Sequence, residues 1–155
     1  MKVSDILRVK GDLLYTITPE DSLADAARIM SEKDIGSLVV MSHGLVVGML
    51  SFREVIAATV RNGGSFGTTS VYRAMDDGPL ICTLETELDE VRRMMVDHHA
   101  RYLPVIENRQ LVGVVSFYDI AKTVVDRQDF ENKMLKAYIK DWPEDDPKHS
   151  EPNFP

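Results

Sequence analysis

Residues 36–54, GSLVVMSHGLVVGMLSFRE, return as residues 101–119, RYLPVIENRQLVGVVSFYD, 65 positions later at both ends with no gap between the copies. A chain that repeats itself in this way must fold as two copies of one unit. In the second copy the apolar runs 103–106 and 111–115 flank the polar residues 107–110, a pattern of β-branched runs about a turn that predicts a hairpin. The first copy predicts the same, with runs 38–41 and 45–50 turned by Ser42, His43 and Gly44. Each hairpin leaves through Ser-x-x-acid into a helix, Ser51 with Glu54 and Ser116 with Asp119, a spacing that suits a helix cap.

The period extends beyond the hairpins. Thr18/Thr83, Glu20/Glu85, Leu23/Leu88, Met30/Met95, Leu38/Leu103, Gly48/Gly113 and Phe52/Phe117 are identical pairs at the same spacing. A short helix is predicted over 3–9 and is broken by Lys10, Gly11 and Asp12. A strand follows at 14–17, then a helix with Leu23, Ala26, Ala27 and Met30 at i, i+3, i+4 and i+7. After the first hairpin a helix is expected from 52 to about 60. The second copy opens with a helix at 71–75, a break at Asp77-Gly78-Pro79, a strand at 81–83, and a helix carrying Leu88, Val91, Met94 and Met95. Each repeat reads β-α-β-β-α. The boundaries follow: repeat one at 1–61, a Gly- and Thr-rich linker at 62–69, repeat two at 70–127, a closing helix at 128–142 with Phe130, Met134, Leu135 and Ile139 apolar, and an acidic tail at 143–155 expected to be disordered.

Composition narrows the function. No apolar run approaches the roughly 20 residues of a membrane span, and the first dozen residues lack the apolar core of a signal peptide. Cys82 is the sole cysteine, so neither an intrachain disulfide nor a cysteine-cluster zinc site is possible, and a cytoplasmic home is expected. A net charge of −7 argues against nonspecific nucleic-acid binding. No nucleophile–base pair, P-loop or metal-ligand spacing is present, so an enzyme is not expected. His98 and His99 are adjacent, about 100° apart on a helix, which favours a solvated helix end over a metal site.

Two repeats carrying L-P-V, L-V-G-V-V and S-x-x-D resemble a tandem pair of cystathionine β-synthase (CBS) domains, a Bateman module, over about residues 3–125. The stretch QDFENKMLKAYI is similar to the closing helix of small stand-alone bacterial members, and the module is expected to be the whole protein. The resemblance implies an α/β (α+β) fold of two pseudo-symmetric repeats packed sheet to sheet, with two clefts. It further implies an adenosine-type ligand, whether AMP, ADP, ATP, S-adenosylmethionine or a NAD-type dinucleotide. No catalytic cofactor is implied, and the module would signal to an unknown protein partner.

Within that resemblance, Asp119 is placed to accept the two ribose hydroxyls, and Ser116 lies at the same helix N-terminus, where free N–H groups meet phosphate. Arg101 can add charge-assisted bonds to that phosphate. Tyr118 and Val114 flank the motif, and the resemblance adds Leu14, Tyr15, Ile35, Gly36 and Ser37 from the other repeat. The pseudo-symmetric site would use Ser51, Arg53 and Glu54 with Ile81, Cys82 and Tyr102. There Glu54 is one methylene longer than the usual aspartate, and Gly36 stands at the position matching Arg101, so this site is expected to be weaker. Bland readings stand beside these: Ser-x-x-acid can be only a cap, Arg101 only a surface charge, and Cys82 only a small buried residue. Ile56, Ala57, Val60, Val124 and Val125 offer apolar surface for a homodimer. The rival to a nucleotide sensor is a ligand-free scaffold that uses the same fold to dimerise or dock.

Overall fold

The computed structural model describes residues 1–11 and 13–140; Asp12, the end of the closing helix at 141–142 and the tail expected to be disordered lie outside the described residues. The elements run α1 (Val3–Lys10), β1 (Thr16–Ile17), α2 (Leu23–Lys33), β2 (Ser37–Ser42), β3 (Leu45–Ser51), α3 (Phe52–Arg61), α4 (Val71–Ala74), α5 (Leu88–His98), β4 (Tyr102–Glu107), β5 (Gln110–Ser116) and α6 (Phe117–Lys140). The chain divides into one unit ending at Ile120 and a second beginning at Ala121. Both hairpins lie in the first.

The two hairpins are near copies. β2 pairs antiparallel with β3, and β4 with β5, each with a register shift at the same place, between Val40 and Met41 and between Val105 and Ile106. Both turns place two residues in the left-handed region, His43 and Gly44 in one, Asn108 and Arg109 in the other. Such φ values match a two-residue turn to the twist of its strands. β3 touches β5, so the sheets meet along these equivalent strands.

Two expected strands shrink. Leu14 and Tyr15 leave the first, and only Thr16 and Ile17 pair with β2, in parallel. The strand expected at 81–83 reduces to a single parallel bridge from Cys82 to Val105. Its hydrogen bonds run from the Cys82 N–H to the Pro104 carbonyl (3.0 Å) and from the Ile106 N–H to the Cys82 carbonyl (2.9 Å). Cys82 therefore does what Ile17 does opposite Val40, 65 positions earlier (17 to 82, 40 to 105).

The order of the repeats in sequence is not their order in space. Core one joins Ile17, Leu23, Met30, Leu38 and Leu50 to Val71 and Ala74 of α4. Core two joins Leu88, Val91, Met95, Leu103, Val115 and Ile120 to Val3 and Ile6 of α1. Each opening helix thus fills the core of the other repeat. Backbone bonds fix the exchange, with the Val3 N–H on the Thr86 carbonyl (3.0 Å) and the Val71 N–H on the Asp21 carbonyl (2.8 Å). Burying two side chains from each helix stabilises the exchange by several kcal/mol, at roughly 1.5–3 kcal/mol for each large apolar side chain fully buried.

The opening helices are not equal, which corrects the expectation of a repeat without gaps. Val3 and Ile6 stand where Val71 and Ala74 stand, 68 positions apart (3 to 71, 6 to 74) rather than 65. α1 has 8 residues against 4 in α4, so α1 continues for an extra turn. That turn ends at Lys10.

Candidate functional site

Two clefts lie between the repeats, and each is framed by equivalent elements. The first, about 390 Å³, is lined by Lys10, Leu13, Leu14 and Tyr15 on one wall and Asp34, Ile35, Gly36 and Ser37 on a second. Arg101 and Tyr102 close one side, and Val114, Ser116, Phe117 and Tyr118 the other. The second, about 280 Å³, is lined by Asp76, Gly78, Pro79 and Leu80, then His98, His99, Ala100, Arg101 and Tyr102, then Met49, Ser51, Phe52, Arg53 and Glu54. Both α2 and α5 end on a left-handed residue, Asp34 and His99, each at φ 52°. That cap turns the chain sharply and presents both residues to their clefts.

In the first cleft the structure brings together Leu14, Tyr15, Ile35, Gly36, Ser37, Arg101, Val114, Ser116 and Tyr118, the residues named from the sequence apart from Asp119. Asp119 sits one layer beneath, its side chain 14% exposed. Its Oδ2 accepts the Ser116 backbone N–H at 2.9 Å, and Ser116 Oγ accepts the Asp119 N–H at 3.0 Å, a reciprocal cap. The same oxygen receives Lys10 Nζ at 2.7 Å, and Lys10 Nζ also donates to the Val114 carbonyl at 2.8 Å. Sequence reasoning misses Lys10. It reaches the site only because α1 crosses to the other repeat and runs one turn further than its counterpart.

The second cleft is built on the same cap but a different charge pattern. Glu54 accepts the Ser51 N–H at 3.0 Å and the Ser51 hydroxyl. No described residue forms an ion pair with Glu54. Where α1 continues to Lys10, the chain after α4 bridges the sheet edge instead. The Met49 N–H meets the Asp76 carbonyl and the Asp76 N–H the Met49 carbonyl, both at 2.9 Å. An acid, Asp76, therefore lines this cleft where a lysine lines the first.

Ile81 and Cys82 do not line the second cleft; Pro79 and Leu80 do. Side chains of an extended segment alternate, so Cys82 points into core two at 3% exposure while Ile81 turns outward at 48%. Burial, with the Glu90 charge adding to it, pushes the Cys82 thiol up to about 12. It behaves as a small apolar core residue. Tyr102, expected in the second cleft, borders both. A Cβ on Gly36 would overlap the Tyr102 hydroxyl, so the bare backbone at Gly36 is what lets the phenol stand between the clefts. Burial raises the Tyr102 pKa against the lowering effect of Arg101, keeping the phenol a donor. His98 and His99 join no cluster able to hold a metal ion among the described residues.

Fold and clefts define a class: a pair of small α/β repeats that exchange their opening helices and share two unequal clefts. The chain belongs to the CBS domain family, whose model matches residues 3–61 and again 71–126. A CBS domain-containing protein of Arabidopsis thaliana, the mitochondrial CBSX3, is 28% identical over 147 residues, covering 89% of this chain and 71% of its own. A putative signal-transduction protein with CBS domains from Burkholderia ambifaria superposes at a TM-score of 0.78 with 30% identity, covering 83% of this chain and 96% of its own. The CBS domain pair of protein MJ0100, solved with 5′-methylthioadenosine and S-adenosyl-L-methionine, has the same fold at a TM-score of 0.73 and 22% identity, covering 82% of this chain and 98% of its own.

Proposed function

We propose that this chain is a cytoplasmic adenosine-nucleotide-binding regulatory module whose principal site is the cleft over Asp119, and that the ligand acts through the shape of a homodimer. The observation that carries the reading is the Lys10–Asp119–Ser116 constellation beneath a cavity of about 390 Å³. That volume falls in the usual range for small-molecule sites, roughly 300–1,000 Å³. A carboxylate accepts two vicinal hydroxyls, as a ribose presents them. Lys10 and Arg101 supply cations for the phosphate, and Tyr15, Tyr102 and Tyr118 offer aromatic surface for a base. The MJ0100 pair, which shares the fold, holds two adenosine compounds, and that likeness supports the choice of ligand class.

The reading is binding rather than turnover. The dimer surface we favour is the apolar groove of Phe52, Ile56, Ala57, Val96 and Phe117, where Ile56 is 62% exposed. A thermal-shift panel of AMP, ADP, ATP and NAD tests the ligand directly, because a compound that binds only the native state raises its stability, by about 2.7 kcal/mol at a hundredfold excess over Kd. Failure of every nucleotide to raise the melting temperature would leave the ligand-free scaffold as the function.

A further inference from the structure

Residues 62–70, a linker by sequence, form a shaped loop beside a polar cavity of about 550 Å³ that shares no lining residue with either cleft. Asn62 builds the loop. Its Nδ2 donates to the Phe66 carbonyl at 3.1 Å and to Thr69 Oγ1 at 2.9 Å. Gly63, Gly64 and Gly67 take the positive φ values, 73°, 105° and 58°, that so tight a path needs. The far end is pinned to the start of α2. There the Leu23 N–H donates to the Thr69 carbonyl at 2.9 Å and the Val71 N–H to the Asp21 carbonyl at 2.8 Å. The fold itself holds the cavity in shape, so a ligand would not have to order it.

The wall has one charge and many hydrogen-bonding groups. Asn62, Ser65, Thr68, Thr69 and Ser70 line it with Arg73, and no carboxylate among the described residues does. The N–H groups of Ser65, Gly67 and Thr68 meet no carbonyl among the described residues, and the Ser70 hydroxyl makes no cap bond to α4. Arg73 has Asp76 and Asp77 three and four residues on, the spacing at which a continuous helix pairs opposite charges. α4 stops at Ala74, however, and Arg73 forms no ion pair with any described residue. Position 73 also reverses the charge of its counterpart, 68 positions earlier (5 to 73). That counterpart is Asp5, whose carboxylate accepts the Lys2 N–H at 2.9 Å.

We infer that this cavity is an oxyanion site, taking phosphate either free or as the end of a small polar ester. The planar guanidinium fork of Arg73 matches two phosphate oxygens. Hydroxyl and amide groups of the loop serve the third oxygen and any hydroxyls of an ester. With no carboxylate in the wall, nothing there repels a dianion. The cavity volume falls in the usual range for small-molecule sites, roughly 300–1,000 Å³, so it has room beyond the anion. No aromatic ring lines it, which separates its ligand from the nucleotides proposed for the clefts. The site stands or falls independently of that proposal.

Amide NMR of the full chain, titrated with inorganic phosphate at constant ionic strength, tests this residue by residue. Amides of residues 65–70 should shift and saturate together, whereas phosphate held only in the first cleft would move residues 101 and 116–118 instead. Arg73→Gln should weaken binding by at least about tenfold, and the double variant S65A/T68A by about fivefold. Unchanged amide positions elsewhere show that each variant is folded, and if Arg73→Gln fails to fold the double variant decides. Ribose 5-phosphate distinguishes the sources. Tighter binding than phosphate assigns the site to an ester, equal binding to the free anion, and both support an oxyanion site. The proposal is overturned if the 65–70 amides stay fixed up to about 50 mM phosphate, if only cleft residues move, or if the folded variants bind like the parent.

Discussion

The two clefts have the same frame and opposite temper. Both stand on a Ser-x-x-acid cap, both are walled by the residues after a left-handed helix end, and Arg101 with Tyr102 borders both. One receives the extra turn of α1 and with it Lys10; the other receives Asp76 at a sheet edge. Duplication supplies a symmetric scaffold, and a few residues at the ends of its elements then make the two sites chemically distinct. A turn of helix is enough.

Asp119→Ala and Glu54→Ala break the comparison most sharply. Each removes a cap of the same design, worth about 1 kcal/mol of helix stability, and Asp119→Ala also loses the Lys10 ion pair, so it should destabilise somewhat more. Only Asp119→Ala should cost AMP affinity heavily, by roughly 1.5–3 kcal/mol or ten- to a hundredfold, while Glu54→Ala should stay within about threefold. Calorimetric titration of both variants, with thermal unfolding as the folding control, reads the difference.

The two strand glycines give a comparison of packing. A Cβ on Gly48 would stand 2.7 Å from the Asp76 carbonyl oxygen and 2.6 Å from the Met75 sulfur, whereas on Gly113 it would meet only the Leu7 side chain, at 3.0 Å. Backbone cannot step aside as a leucine terminus can. Gly48→Ala should therefore destabilise by about 1–3 kcal/mol, and Gly113→Ala by less than about 1 kcal/mol, the gain from a stiffer unfolded chain offsetting part of the crowding. Urea midpoints at constant slope would show it; equal losses would mean that α1 and the α4 exit grip their sheets alike.

Lys10→Ala sharpens the electrostatic half of the comparison. It removes a cation that lines the first cleft, so the ratio of AMP to adenosine affinity should fall by about fivefold, and Arg101→Ala should lower it in the same direction. A ratio unchanged in Lys10→Ala would confine Lys10 to a structural ion pair.

What residues alone disclose of this molecule is what is local. The hairpins and the helix-entry caps lie within short stretches and repeat at a fixed period, so the sequence declares them twice. Lys10 stays hidden because its partner, Asp119, lies across the exchange of α1 and α4, and periodicity carries no sign of which core a helix enters. The three-residue offset between 3 and 71 hides in a region with few identical pairs. Ile81 and Cys82 read as a cleft wall because an apolar tripeptide does not reveal which of its faces is inward; pairing opposite Val105 settles that Cys82 is core. Gly36 reads as a missing arginine, yet its larger effect is the space it leaves for Tyr102.

The central claim is that ligand occupies the cleft over Asp119 in preference to its pseudo-symmetric twin. A crystal structure grown at saturating AMP tests it most directly. The account predicts nucleotide density in the Lys10–Arg101 cleft, with both ribose hydroxyls on the Asp119 carboxylate and the phosphate toward the two cations. Density in the Glu54 cleft alone, or in neither, would contradict it.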